Sequence, residues 1–165
     1  MKVCVHSNQS TDSNPMDSRR REDVQQVVME SAALGESQTP TEIFIAPWGK
    51  VQTSSGTFVV DEQACAATIA AFESHGSDLP VDYEHQTLGG PYSSPSGQAP
   101  AAGWIKALSI VTPEQAASSD ESRSAGLWAR VGGTSEAARK LSHRQYRYLS
   151  PVALRRRSDR RLIAL

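Results

Sequence analysis

The chain has 165 residues, of which 38% are hydrophobic, so it is long enough for one domain with a real core and too short for two. A formal net charge of -1 gives no general case for binding nucleic acid. The sequence has neither a long apolar run nor the apolar stretch of a secretory signal, which predicts a protein outside the membrane. Its two cysteines, Cys4 and Cys65, are too few for a disulfide framework and suit a reducing cytoplasm.

Residues 1–40 are polar and are predicted to form a tail that precedes the domain proper, residues 41–165. The tail has one candidate helix, Arg21–Leu34, because apolar residues recur there at helical spacing, namely Val24, Val27, Val28 and Ala32. Plain disorder fits the composition of the tail equally well.

The domain proper alternates short apolar runs with turn residues. Strands are predicted over Thr41–Ala46, Thr57–Val60, Val81–His85, Gly103–Val111, Leu127–Val131, Gln145–Ser150 and Arg161–Leu165. Helices are predicted over Glu62–Glu73, capped by Asp61 and stopped by Gly76, and from Thr134 or Ser135 to Leu141. The segments Gly89–Pro100 and Thr112–Ala125 are predicted loops. This pattern predicts an α+β fold, a mainly antiparallel and barrel-like sheet with a few flanking helices.

The stretch Leu79–Leu88 is the densest run of titratable side chains in an apolar frame. The alternation of a strand would place His85 on the face of Val81 and Tyr83 and send the carboxylates of Asp82 and Glu84 to the other face. His85 also precedes a Gly/Ser/Pro loop, where functional sites are often built. A metal site from Asp82, Glu84 and His85 is disfavoured, because the same alternation separates the imidazole from both carboxylates.

Ser150 lies in the stretch Tyr146–Pro151, in which Tyr146, Tyr148 and Ser150 would share one strand face. A serine nucleophile needs a base within hydrogen-bond reach, and His85 is the histidine that combines a strand, an apolar face and an adjoining loop. No G-x-S-x-G motif surrounds Ser150. By residue chemistry alone, a serine that merely ends a strand before Pro151 is therefore the more common interpretation.

Positive charge is concentrated near the end of the chain, in Arg144, Arg147, Arg155, Arg156, Arg157, Arg160 and Arg161. Such a cluster is more often a solvated face than a nucleic-acid site, although it could meet an acidic partner. A basic nucleic-acid module would predict strongly salt-dependent binding to DNA, and no known binding motif accompanies the charge.

Four blocks follow one another along the domain, namely Val81–Leu88, Ala99–Ile105, Gly126–Val131 and Tyr146–Val152. Taken in this order, they resemble the Mu-like prophage I protein family, the head-maturation proteases of Mu-like phages. The stretch from Thr41 to Glu73 fits more loosely, and residues 1–40 add nothing. The sequence departs from the family pattern at Gly132 and Gly133, where the family usually continues with an acidic residue and a tryptophan.

The resemblance implies a serine endopeptidase without cofactor or metal, folded like the assemblin and prohead proteases. His85 would be the general base and Ser150 the nucleophile. A third group would follow the serine in such enzymes. Family members continue well past Leu165, so the chain is expected to be truncated and to lack that group, unless Asp82 takes its place.

The implied substrates are the phage scaffold and major capsid protein, cleaved inside the assembling head in the bacterial host cytoplasm, where self-association is also implied. Membrane and nucleic-acid partners are not expected. The alternative function is that of an inactive prophage remnant, which would act at most as a scaffold or interaction module.

Overall fold

The structure is a computed structural model, and it describes residues 2–3, 23–29, 32–33, 40–53, 56–89, 94–118 and 123–165. The described strands are β1 Lys2–Val3, β2 Val24–Val28, β3 Ala32–Ala33, β4 Glu42–Pro47, β5 Gly49–Thr53, β6 Gly56–Val60, β7 Leu79–Asp82, β8 Ala101–Val111, β9 Gly126–Gly133, β10 Tyr148–Arg156 and β11 Leu162–Ala164. The described helices are α1 Glu62–His75, α2 Pro113–Ser118 and α3 Ser135–Ser142, and Gln86–Leu88 forms a 3₁₀ turn. The fold is α+β, as predicted.

The main sheet has the strand order β11-β10-β1-β7-β8-β9-β4, and β2 and β3 also pair with β10. Its described pairs are antiparallel except β1 with β10, which is parallel. The sheet curls into a half-barrel, and β5 and β6 form a separate hairpin. Helix α1 packs on β11, β6 and β8. The hydrophobic core includes Ile43, Phe58, Val81, Ile105, Leu127, Leu149 and Leu162.

Helix α1 begins at Glu62, as predicted, and runs two residues past the predicted Glu73 to the predicted stop at Gly76. The side chain of Asp61 accepts a hydrogen bond from the Ala64 N–H at 2.8 Å, which satisfies one of the free donors of the first turn. Gly76 adopts a left-handed conformation, with φ 71°, and its N–H donates to the Glu73 carbonyl. In α3, Thr134 is the residue that caps, because its hydroxyl accepts the Ala137 N–H. No described helix is long and apolar enough to cross a membrane.

The helix predicted over Arg21–Leu34 is wrong where the chain is described. Val24–Val28 is instead strand β2, paired antiparallel with β10 from Val28 opposite Val152 to Val24 opposite Arg156. Valine is stiff at χ1 and suits a pleated surface better than a helix, and pairing with β10 decides between the two. The division of the chain at residue 40 stays a prediction.

Two further segments differ from the predictions. The predicted loop Thr112–Ala125 contains helix α2, which starts at Pro113 after a reciprocal cap between Thr112 and Gln115. Strand β10 spans Tyr148–Arg156 and passes through Pro151, whereas the predicted strand ends at Ser150. The missing N–H of Pro151 does not break the ladder, because its carbonyl accepts the Met29 N–H at 2.8 Å.

Gly103 and Gly132 lie on neighbouring strands, and only one of them has no room for a side chain. A Cβ on Gly103 would lie 2.7 Å from the Gly132 carbonyl oxygen, whereas a Cβ on Gly132 would meet only the flexible end of Lys106 at 3.6 Å. We expect Gly103→Ala to lower the free energy of unfolding by about 1–3 kcal/mol, because two backbones must move apart. Gly132→Ala should change it by less than about 0.5 kcal/mol.

Urea denaturation followed by tryptophan fluorescence measures both variants. An equal loss of stability in the two would contradict the close approach at Gly103.

Cys65 is buried in α1, and its burial raises the pKa of the thiol to about 11, with Asp61 adding to the shift. We expect the folded Cys4→Ser variant not to react with a thiol reagent at neutral pH.

The folded pKa of the Cys65 thiol lies above the ordinary value of 9.0, so the free energy of unfolding should fall as pH rises from 9.0 towards about 11. Below that window Cys65 should contribute no pH dependence, and Cys65→Ser should lose the fall.

Candidate active site

His85 lies in a tight turn that follows β7. The strand ends at Asp82, and Glu84 and His85 both have φ of 58°, which is the left-handed region that residues other than glycine seldom adopt. The Gln86 N–H donates to the Tyr83 carbonyl at 3.2 Å, and the 3₁₀ turn follows. His85 is only 2% exposed. The turn therefore holds a buried imidazole at the end of a sheet strand.

The carboxylate of Asp82 closes this turn from within. Its Oδ2 accepts the Thr87 N–H at 2.6 Å and the Thr87 hydroxyl at 2.7 Å, so one oxygen joins the strand end to the 3₁₀ turn. Asp82 is fully buried, and charge-assisted hydrogen bonds of this kind offset the cost of burying a carboxylate. Asp82 thereby positions the segment that carries His85.

The predicted strand Val81–His85 ends at Asp82 in the structure, so the alternation that would separate His85 from the carboxylates does not extend to His85. Val81, Tyr83 and His85 are buried as expected and Glu84 is exposed, but Asp82 is buried with them. The alternation fails because the register of β7 on β8 shifts between Val81 and Asp82 and the strand then ends, so the period of two no longer applies.

Ser150 lies near the start of β10, half-buried, between the buried residues Leu149 and Pro151. Its hydroxyl donates to the Met29 carbonyl oxygen at 2.8 Å. Tyr148 is exposed on the same strand. Tyr146 precedes the strand, so the predicted face of two tyrosines and a serine does not form.

The sheet brings the segments of His85 and Ser150 to the same region. In β1, Lys2 is the register partner both of Asp82 on β7 and of Ser150 on β10. Neighbouring strands lie about 4.8 Å apart, so the Cα atoms of Asp82 and Ser150 are separated by roughly 10 Å across β1. His85 follows Asp82 by three residues. The described hydrogen bond of the Ser150 hydroxyl goes to Met29 and not to an imidazole.

A cluster of two tyrosines and a lysine adjoins the turn. The rings of Tyr83 and Tyr146 lie 5.2 Å apart, and the Lys140 ammonium is 5.0 Å from the first ring centroid and 5.9 Å from the second. Burial raises the pKa of both tyrosine hydroxyls. Sequence reasoning missed this cluster, and the position of Lys140 in α3 indicated only favourable charge at a helix end.

Several of the C-terminal arginines form ion pairs or hydrogen bonds with other residues of the chain. Arg161 contacts the Asp61 carboxylate at 2.8 Å and the Asp159 carboxylate at 3.2 Å, and Arg156 contacts Asp159 at 2.9 Å. The guanidinium of Arg155 donates to the Thr57 carbonyl and to Gln25. In the described part of the chain, no group of three His, Cys, Asp or Glu residues could hold a metal ion.

The family model of the Mu-like prophage I protein, N-terminal domain, matches residues 43–165. The chain belongs to this family. The match contains all four blocks of the resemblance, including the turn of His85 and strand β10 with Ser150. Strands β1, β2 and β3 precede the matched region of the Mu-like I domain. Searches of curated proteins and of solved structures find no match.

The two bonds between Asp82 and Thr87 can be tested separately. We expect Asp82→Ala to lower the free energy of unfolding by about 1–3 kcal/mol, because it leaves the Thr87 N–H without its acceptor. Thr87→Val keeps the N–H bond and removes only the hydroxyl, so it should cost about 0.5–1.5 kcal/mol. Chemical denaturation measures both. Equal costs would show that the N–H bond does not hold the turn.

Proposed function

We propose that this domain is a serine endopeptidase of phage head maturation, with Ser150 as the nucleophile and His85 as the general base. The observation that supports it best is the position of the two residues in a chain of this family. His85 is buried in a strained turn at the end of β7, and Ser150 lies one strand beyond β1, both inside the region that the family model matches.

In the proposed reaction, the Ser150 hydroxyl oxygen attacks the carbonyl carbon of the scissile peptide bond while His85 accepts its proton. His85 then gives this proton to the leaving amine as the carbon–nitrogen bond breaks, and water hydrolyses the acyl-serine ester. Asp82 enters the proposal as a positioning residue, because its bonds to Thr87 hold the turn of His85. The reaction requires no metal or cofactor.

The proposed substrates are the scaffold and the major capsid protein of the phage, cleaved in the assembling head within the bacterial host cytoplasm. Self-association in the prohead belongs to the same proposal. We further propose that the curled sheet corresponds to the barrel of assemblin-type proteases, since it is mostly antiparallel and flanked by helices.

A second candidate function is a non-catalytic scaffold or interaction module. The bond from the Ser150 hydroxyl to the Met29 carbonyl favours it, because a nucleophile held in this way is not directed at a base. A fluorophosphonate probe separates the two functions, since only an activated serine reacts with it. Labelling of Ser150 would exclude the inert module.

Co-expression of the chain with its phage scaffold and capsid proteins tests the proposed peptidase. We expect Ser150→Ala to reduce cleavage by roughly 10³-fold or more, because the covalent intermediate cannot form. Ser158→Ala is the matched control, because Ser158 is exposed in the turn before β11 and should leave cleavage unchanged. Unchanged processing by Ser150→Ala, measured by mass spectrometry of the products, would refute the assignment.

A further inference from the structure

The chain ahead of the family domain is paired with the strand that carries Ser150. Strand β2 runs antiparallel to β10 over Val24–Val28, and Met29 continues it. The Met29 N–H donates to the Pro151 carbonyl at 2.8 Å, and the Met29 carbonyl accepts the Ser150 hydroxyl at 2.8 Å. One residue of the N-terminal region thus bonds both the proposed nucleophile and the residue after it.

Strand β1 provides a second, independent contact. Lys2 and Val3 pair in parallel with Ser150 and Pro151 on one side. On the other side they pair antiparallel with Asp82 and Val81 of β7. This dipeptide therefore lies between the strand that leads to His85 and the strand that carries Ser150.

Both contacts resemble those that an extended peptide makes when it adds a strand to a sheet. Added strands bind through main-chain hydrogen bonds, as β1 and β2 do here. The carbonyl of Met29 stands at the Ser150 hydroxyl, where a peptide substrate must also place a carbonyl. However, a hydroxyl that donates to a carbonyl oxygen has its proton directed away from a general base, so this arrangement is not reactive.

Buried side chains and two polar contacts hold β2 in this position. Val27 is fully buried and Met29 is 3% exposed, both in the hydrophobic core. The Gln25 side chain accepts from Arg155 at 2.7 Å, and the Asp23 carbonyl accepts the Arg157 N–H at 2.7 Å. The pairing is thus anchored along the length of β2.

We propose that β1 and residues 23–29, here called the N-terminal segment, are an intramolecular inhibitor that occupies the substrate-peptide site of the domain. The substrate would bind as an extended strand along β10, in the place that β2 takes. The inference rests on the proposed peptidase function. Basal activity of the intact chain comes from the fraction of molecules in which the segment has opened.

The reactivity of a cysteine at position 150 measures how far the N-terminal segment shields this position, independently of catalysis. In a Cys4→Ser, Ser150→Cys chain, we expect the new thiol to react with a maleimide at least about 100-fold more slowly than a free cysteine, because the segment covers it. Modification at the rate of a free cysteine would overturn the inference. Cys65 is the internal control, since it is buried and becomes reactive only when the domain unfolds.

Release of the segment is tested with two variants that introduce the same residue at neighbouring positions. Val27→Glu places a charge in the core and should free the segment, whereas Gln26→Glu changes an exposed side chain and should not. We expect the thiol at 150 to react at least about tenfold faster with Val27→Glu while Cys65 stays protected. Equal rates with Val27→Glu and Gln26→Glu, with Cys65 protected in both, would overturn the inference.

Met29→Pro replaces Val27→Glu if that variant exposes Cys65. It removes the N–H that donates to Pro151 without placing a charge in the core. The same acceleration is expected, and unchanged protection of the thiol at 150 would overturn the inference.

The same releasing variants, with Ser150 restored, are then treated with the fluorophosphonate probe. Labelling that rises at least about tenfold over the parent chain supports an inhibitor seated on an active peptidase. An exposed thiol at 150 with no labelling of Ser150 in any variant would refute the peptidase and, with it, the inhibition. Labelling as strong in the parent chain as in Val27→Glu would refute the inhibition and leave the peptidase standing.

Discussion

The hydrogen bonding of β10 is the constraint on which the described structure depends. Its residues Leu149, Val152 and Ala153 are buried, so its backbone groups must find partners within the protein. The strand meets this requirement by pairing with β1, β2, β3 and β11. One strand thereby joins the N-terminal region to the end of the chain, and it is also the strand that carries Ser150.

Backbone strain in the turn of His85 is a second constraint, and buried contacts offset it. Two consecutive residues adopt left-handed backbone conformations, and each such residue costs free energy that the surroundings must offset. The bonds of Asp82 to Thr87 and the burial of His85 provide that support. A general base requires a pre-positioned imidazole, so the turn, rather than a strand face, supports the role proposed for His85.

Several arginines in the last part of the chain form hydrogen bonds or ion pairs within the fold. One oxygen of Asp61 caps α1 and the other accepts from Arg161, so a single carboxylate connects the helix to the start of β11. Arg155 reaches from β10 to Thr57 and Gln25. Arginines that read as a basic cluster in the sequence therefore act in part as links between strands and a helix.

The sequence by itself determined the elements that depend on local chemistry: helix α1 between Asp61 and Gly76, the start of α3 at Thr134 or Ser135, most of the strands of the matched domain, and His85 as a buried residue. It also carried the family resemblance. Only the tertiary structure decided that Val24–Val28 is a strand, that β10 passes through Pro151, and that Asp82 turns inward to Thr87. The reason is physical, because these outcomes depend on pairing and burial between distant segments, such as the bond between Ser150 and Met29 across 121 positions, which no local pattern encodes.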